Sequence, residues 1–273
     1  MDGIQVITSR QNPLVKHVCG LADKKNRGES GCFRFDGIKL FSEALASSVE
    51  IVYVIYREHP DDRVVSLIER AIDEGRVQMD ALRCVSDSVF EKLSDERSPE
   101  GIITVARMMS SLHTAEGEIG KGERILIAES LRDPGNLGTV MRSCFALGID
   151  RLVLTNDCAD IYNPKTQRAA MGAMFRLHTL SVSGQELGAL IFRLRAQGRR
   201  VYATALSMDS QSIGEIELSA GDCFVIGNEG HGLSESTVDA CTAPVIIPMR
   251  EGAESLNAAA AATICIWETV RAK

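Results

Sequence analysis

The sequence predicts an α/β protein of two units, the second built on a mostly parallel sheet, and three observations carry this. Five apolar runs in the second half, at 124–129, 151–155, 201–206, 223–227 and 245–248, are spaced by helical stretches. Strands joined through helices form parallel sheets with both faces covered. The first hundred residues alternate strand and helix patterns on a smaller scale, as a compact α/β unit does. Between them, 108–123 is polar and glycine-bearing (Ser110, Ser111, Gly117, Gly120, Gly122) with no sustained period in either template. We therefore expect a unit at 1–107, a linker at 108–123 and a second unit at 124–273, consistent with about two domains for 273 residues.

Each element has a local cause. Asn12 before Pro13 reads as an N-cap followed by proline at the first helical position, and Leu14, Val18, Leu21 and Ala22 then make an apolar stripe, predicting a helix over 13–25. A short strand at 33–35 and a helix at 37–47 follow, then a β-branched and aromatic run at 50–56 typical of a buried strand. Helices at 61–74 and 86–93 and a strand at 102–106 complete the first unit. In the second, Leu137, Val140, Met141, Cys144 and Phe145 form one face of a helix that ends at Gly148. A run of five alanines, 258–262, lies in a terminal helix, where it supplies helix propensity or close packing.

Composition excludes several classes. Apolar residues at 45% and charged residues at 25% are those of a chain with a real core, not a disordered one. No run approaches the ~18 apolar residues of a membrane helix, and the opening lacks the basic and apolar regions of a signal peptide. No membrane association and a cytoplasmic location are expected. The eight cysteines are never closer than 13 apart, so no CxxC pair exists for zinc or redox chemistry, and no metal is expected. A net charge of −7 argues against non-specific coating of nucleic acid. Residues 10–39 nevertheless carry seven bases (Arg10, Lys16, Lys24, Lys25, Arg27, Arg34, Lys39) against three acids (Asp23, Glu29, Asp36), and 7 − 3 gives a local +4 that points to an anionic partner.

Three loops at strand ends hold the candidate chemistry. After the strand at 124–129, Ser130-Leu-Arg-Asp-Pro-Gly-Asn136 leads into a helix; Asp133, Pro134, Gly135 and Asn136 either make the turn and cap or meet a ligand. Arg142 lies off that helix's apolar face, and helical side chains lean toward the N-terminus, so its guanidinium can point at the turn or into solvent. The second loop, Gly227-Asn-Glu-Gly-His-Gly-Leu-Ser234, has three glycines in six residues and places Glu229 at the sheet's carboxyl edge, where open α/β folds bind ligands. His231, without a metal partner, reads as a loop or interface histidine. The third, Pro248-Met-Arg-Glu-Gly-Ala-Glu-Ser-Leu-Asn257, offers Ser255 as an N-cap, while Asn257 and the backbone before it can instead bind a polar ligand at the helix start.

In order and composition, Asn136-Leu-Gly-Thr-Val-Met-Arg142 with Gly148, then 227–234, then Ile247-Pro-Met249 with Glu254-Ser-Leu-Asn257, resemble the SpoU (TrmH) family of RNA ribose methyltransferases. The resemblance implies a catalytic domain over 124–273 with a deep trefoil knot, of the kind that general topology rules exclude, preceded by a small ribosomal-protein-like substrate-binding domain. It implies S-adenosylmethionine bent among the knotted loops, at Thr204, Ala205, Leu206, Gly227, Ile247, Met249, Ser255 and Leu256, and a homodimer through the catalytic domain. Arg10, Asn12, Lys16, Lys24 and Arg27 would bind RNA.

The implied reaction moves a methyl group from a sulfonium to a ribose 2′-hydroxyl. Arginine is not deprotonated in proteins, so Arg142 is expected to hold the adjacent phosphate and the developing alkoxide. Glu229 is expected to orient Arg142 or to take the proton through water, with Asn136, Ser255 and Asn257 fixing ribose and arginine by hydrogen bonds. The third motif departs from the family at Glu251, where a glycine is usual, while Gly252 is retained. Ribosomal RNA, 23S in particular, is the expected substrate, with transfer RNA methylation or a silent RNA-binding protein of the same fold as the alternatives. A nicotinamide-dependent oxidoreductase is disfavoured because 135–138 does not supply the dinucleotide fingerprint.

Overall fold

The computed structural model describes residues 3–115, 117–219 and 221–271. The chain divides into two compact units, 1–109 with 162–175, and 110–161 with 176–273.

In the first unit, α1 (Pro13–Gly20) opens as the sequence predicts, with the Asn12 side chain accepting from Leu14 N. The helix then stops short of the expected 13–25, because Asp23 caps a second helix, α2 (Lys24–Ser30), its Oδ1 accepting from Lys25 N at 2.8 Å and Asn26 N at 3.3 Å. The unit continues through β1 (Cys32–Asp36), α3 (Ile38–Leu45), β2 (Ile51–Arg57), α4 (Asp62–Asp73), β3 (Leu82–Val85), α5 (Asp87–Leu93) and β4 (Ile102–Arg107). These strands form one sheet in the order β1-β4-β2-β3, antiparallel except for the β2/β3 pair. Val15 and Val18 of α1 and Val89, Phe90 and Leu93 of α5 bury against Ile55, Ile103 and Val105 of the sheet.

The second unit begins with β5 (His113–Thr114) inside the stretch expected to be linker, and Ile119 of the same stretch is buried in that unit's core. A parallel partner explains the strand: β5 pairs beyond the reach of local sequence with β8, residues 178–182. The elements that follow are β6 (Ile125–Ala128), α6 (Pro134–Leu147), β7 (Arg151–Thr155), α7 (Pro164–Ala170), β8 (His178–Val182), α8 (Gly184–Ala196), β9 (Val201–Thr204), β10 (Gln211–Ser212), β11 (Cys223–Ile226), α9 (Glu235–Ala240), β12 (Ala243–Ile246) and α10 (Ala258–Arg271). Of these, α7 belongs to the first unit, a second correction to the expected boundaries. Gln167 of α7 donates through Nε2 to Arg34 O at 3.1 Å, and Tyr162 and Phe175, flanking the helix, pack rings on Phe33 and Phe35 of β1.

The large sheet has the order β10-β12-β9-β11-β6-β7-β8-β5, and every pairing in it is parallel. Its central strands β6 and β11 are apolar throughout and fully buried because both faces of the sheet are covered there. On one face α10 packs on α6 and β11, and Ser143 and Thr263 join the two helices by a 2.8 Å hydrogen bond. All carboxyl ends of β6, β9, β11 and β12 therefore open on one edge, where the three loops of interest lie. No helix among the described residues is long and apolar enough to cross a membrane.

Candidate active site

The turn after β6 is set by Asp133, whose side chain accepts from Asn136 N at 2.8 Å and caps α6, with Pro134 at the first helical position. Capping leaves the Asn136 side chain free to project from the first turn. Its Nδ2 donates to Glu229 Oε1 at 3.0 Å, and its Oδ1 accepts from Asn257 Nδ2 at 2.9 Å. One amide thus links all three loops.

Glu229 also accepts from two backbone donors of the first loop, Asp133 N at 3.2 Å and Arg132 N at 3.3 Å. Burial pushes its pKa up, but the bond from Asn136 and the backbone donors outweigh this and hold the carboxyl below the ordinary glutamate range. Glu229 is an ionised acceptor committed to the loop. It does not orient Arg142, contrary to the sequence expectation: Arg142 is exposed on α6 and has no hydrogen bond or ion pair among the described residues. Its guanidinium keeps all its donors for a ligand.

At the start of α10, Asn257 takes the capping role expected of Ser255. Its Oδ1 accepts from Ala259 N at 2.9 Å and Ala260 N at 3.2 Å, so its two ends serve helix and site at once. Ser255 is exposed two residues earlier.

A cavity of about 600 Å³ lies against this chain of hydrogen bonds, within the size range of small-molecule sites. It is lined by every residue expected to hold the cofactor: Thr204, Ala205, Leu206, Gly227, Ile247, Met249, Ser255 and Leu256. Glu229 lines it too, whereas Asn136, Arg142 and Asn257 do not. Leu206, Met249 and Leu256 are exposed apolar side chains around it, at 90%, 45% and 40% of full exposure, a surface that an aromatic ligand would cover. Thr204 spends its hydroxyl on Val225 O at 2.8 Å, which leaves its backbone as the ligand contact. A Cβ at Gly227 would meet the Gly232 carbonyl carbon at 2.4 Å and Leu233 N at 2.6 Å, so only glycine lets the β11 loop fold back on itself beside the cavity. These features fit a flat heteroaromatic ring with a polar tail.

Sequence reasoning missed several residues that build the site. Asn228 donates through Nδ2 to Ser130 O at 2.8 Å and accepts at Oδ1 from Gly230 N and His231 N, the Asx-turn geometry that an asparagine ahead of a glycine-rich loop could have signalled. Glu129, an acid ending a buried strand, accepts from Ser234 Oγ at 2.7 Å and Thr237 Oγ1 at 3.0 Å, fixing the start of α9. Ser130 has φ 56°, a conformation costing of order 1–3 kcal/mol for a residue with a Cβ, and no sequence signal marks it.

The proposed RNA contacts divide. Lys16 and Lys24 are exposed, as is Arg10, whose Nε donates to Ser88 O at 3.1 Å. Asn12 is accounted for as the cap of α1. Arg27 is corrected: it is only 3% exposed, and its Nη1 donates to Leu21 O and Ala22 O, both at 2.8 Å, so it braces the turn between α1 and α2. Among the described residues no cluster of potential metal ligands exists, and all eight cysteines are free thiols.

An all-parallel α/β unit with a ligand-sized cavity at its carboxyl edge, lined by the 204–206, 226–232 and 245–256 segments, is the arrangement of a nucleotide-binding α/β protein. The SpoU rRNA methylase family model matches residues 123–267, and the MRM3-like substrate binding domain matches 12–104. The chain is 30% identical over 261 residues to the 23S rRNA (guanosine(2553)-2′-O)-methyltransferase of Bacillus subtilis, covering 96% of this chain and 97% of that one. It is 31% identical to the 23S rRNA (guanosine-2′-O-)-methyltransferase of Coxiella burnetii, covering 86% and 94%. An AdoMet-bound rRNA methyltransferase of Sinorhizobium meliloti superposes with a TM-score of 0.82 at 26% identity, covering 98% of each chain. The chain belongs to the SpoU rRNA methylase family.

Proposed function

We propose that this protein methylates a ribose 2′-hydroxyl of 23S ribosomal RNA with S-adenosylmethionine as donor. The observation that carries the reading is the Asn257–Asn136–Glu229 chain of hydrogen bonds set against the cavity, because it fixes the first turn of α6, and so Arg142, relative to the cofactor loops. S-adenosylmethionine supplies a methyl group on a cationic sulfur. Gly227, Ile247, Met249, Leu256 and the backbone at 204–206, which line the cavity, would hold it. Arg142 binds the phosphate next to the target ribose and stabilises negative charge as it develops on the 2′-oxygen. Ser255, exposed at the cavity rim, hydrogen-bonds the ribose. Glu229, held in its ionised form by Asn136 and the backbone donors of the first loop, keeps the loops in place.

The substrate unit presents the RNA through Arg10, Lys16 and Lys24. We also propose a deep trefoil knot. β12 lies on the far side of β9 from β11, and α10 packs on α6 and β11, so the chain turns back across the sheet after β12, which supports that reading. Phe145 on α6 and Trp267 on α10, at 44% and 54% exposure on helices that pack together, support a homodimer through this surface. A cytoplasmic location is part of the same proposal.

The test is to incubate purified protein and labelled donor with ribosomal RNA from a strain deleted for the gene, and to map the modified ribose. Label at one 2′-O position of 23S RNA is expected. Transfer into tRNA alone, or donor binding with no transfer to any RNA, overturns the reading.

A further inference from the structure

The strained turn at Ser130 has a purpose that the cofactor cavity does not explain. All three polar groups of Ser130 are engaged: its N–H donates to Thr155 Oγ1 at 2.8 Å, its carbonyl accepts from Asn228 Nδ2 at 2.8 Å, and its hydroxyl donates to Asp157 Oδ2 at 2.5 Å. Asp157 accepts a second bond at Oδ1, from Thr155 Oγ1 at 2.7 Å, so both carboxylate oxygens are pinned. The fixed Oδ2 faces Arg132 Nη2 at 3.4 Å. Burial raises the Asp157 pKa, but the bonds from Ser130, Thr155 and Arg132 together bring it below the ordinary aspartate range, so the carboxylate is ionised.

The Arg132 side chain is 66% exposed and that of Asp157 47%, and an exposed pair at this distance contributes little to stability. Stabilisation is therefore a poor reason to hold a non-glycine residue at φ 56°. Placement is a better one. The Arg132 backbone N–H donates to Glu229 at 3.3 Å, which sets the residue directly on the hydrogen-bond chain running to Asn136 and Asn257. Arg132 does not line the cofactor cavity. It precedes α6, whereas Arg142 lies about 12 Å along that helix from Pro134, so the two cations address different parts of an extended ligand.

We propose that Arg132 is a phosphate-binding residue for the RNA strand that carries the target ribose, with Asp157, held by Ser130, as the residue that positions it. A planar, always charged guanidinium suits a phosphate diester, and in a chain of net charge −7 a held cation beside the reacting loops supplies local attraction for a polyanion. The inference rests on the reading of the chain as an RNA methyltransferase.

The experiment compares wild type with Arg132→Ala, Arg132→Lys and Asp157→Asn, using a 23S rRNA transcript as probe. Four quantities are read: RNA affinity across a salt series, KM for RNA, kcat, and S-adenosylmethionine affinity by calorimetry. Arg132→Ala should weaken RNA binding about five- to twentyfold and flatten the slope of log affinity against log salt by roughly 0.7–0.9, the loss of one phosphate contact. KM for RNA should rise with kcat within about threefold, and cofactor affinity should not change. Arg132→Lys should restore the salt slope but only part of the affinity. Asp157→Asn should raise KM about two- to fourfold. Unchanged slope and KM in Arg132→Ala, or a loss of cofactor binding with them, overturns the proposal. An Asp157→Asn protein indistinguishable from wild type overturns the positioning role. If the wild type itself transfers no methyl group to RNA, the underlying reading fails first, and the wild-type control distinguishes that failure from the others.

Discussion

Asn136 and Glu229, 93 residues apart in sequence, meet at 3.0 Å through a hydrogen bond from the asparagine amide to the glutamate carboxylate. The other end of the same amide accepts from Asn257, so its orientation is fixed from both sides. The three loops are thereby tied by side chains at the point where they would otherwise be joined only by long stretches of chain. Mutual dependence of the three residues follows.

Replacing Asn136 by aspartate keeps size and helix compatibility but puts a second carboxylate against Glu229. Two carboxylates at that distance repel each other when both are ionised, so the Glu229 pKa, now depressed, should rise. We expect Asn136→Asp to lower methyl transfer at least about a hundredfold at pH 8 while cofactor binding persists, with partial recovery toward pH 5.5 as the pair shares a proton. Activity within threefold of wild type at pH 8 would show that the bond is incidental.

The same depressed pKa predicts what the pH profile should lack. Glu229 accepts at full strength through both oxygens, Oε1 from Asp133 N and Oε2 from Arg132 N, only while ionised. Its stabilising effect is complete above the ordinary glutamate value of about 4.3 and fades as pH falls through the lower folded value. No inflection of kcat between pH 5.5 and 9 should therefore belong to this residue. Glu229→Gln should lower kcat by a similar factor at pH 6.5 and pH 8.5, and a profile whose acid limb vanishes in that variant would restore Glu229 as general base.

Asn257 has two duties that substitution can separate. Serine still offers an oxygen to the N–H groups of Ala259 and Ala260 but has no amide to reach Asn136. Asn257→Ser should retain stability within about 0.5 kcal/mol and lose activity, whereas Asn257→Ala should also lose about 1 kcal/mol from the uncapped α10. Urea melts alongside initial rates distinguish these outcomes. Equal stability loss in both variants would deny the capping role.

Arg142→Lys keeps the charge but not the planar fork. With no protein partner to hold the side chain, its whole effect should fall on the RNA and the transition state. A drop in kcat of about a hundredfold or more with unchanged cofactor affinity is expected. Near-normal turnover would reduce Arg142 to a general positive charge.

What the sequence disclosed and concealed follows physical lines. Caps are local chemistry, and Asn12 before Pro13 and Asp133 before Pro134 act as their spacing suggests. The cofactor loops were legible only through the resemblance to the SpoU family; the glycine spacing at 227–232 by itself marks a loop, not its ligand. Arg27 misled because nothing beside it reveals that its guanidinium turns inward to Leu21 and Ala22. The return of α7 to the first unit and the pairing of β5 with β8 are contacts across long stretches of chain, invisible to any window of a few residues. Ser130 was silent for another reason: its strain is imposed by three partners drawn from separate segments.

Gly227 offers the sharpest separation of backbone from side-chain effects. Its φ is not in the left-handed region, so alanine is conformationally permitted there, and the obstacle is purely steric. The added methyl would lie at 2.4 Å from the Gly232 carbonyl carbon and 2.6 Å from Leu233 N, both backbone atoms that cannot swing aside as a side chain can. The loop must open, which displaces the Asn228–Gly232 bridge and with it the cavity wall. Overpacking of this kind costs about 1–3 kcal/mol, a fraction of the stability of a chain this size. Gly227→Ala should therefore remain folded with a melting temperature lowered by several degrees, yet bind S-adenosylmethionine at least tenfold more weakly by calorimetry. Cofactor affinity equal to wild type would mean that this loop can widen without reshaping the cavity, and that the glycine serves the turn alone.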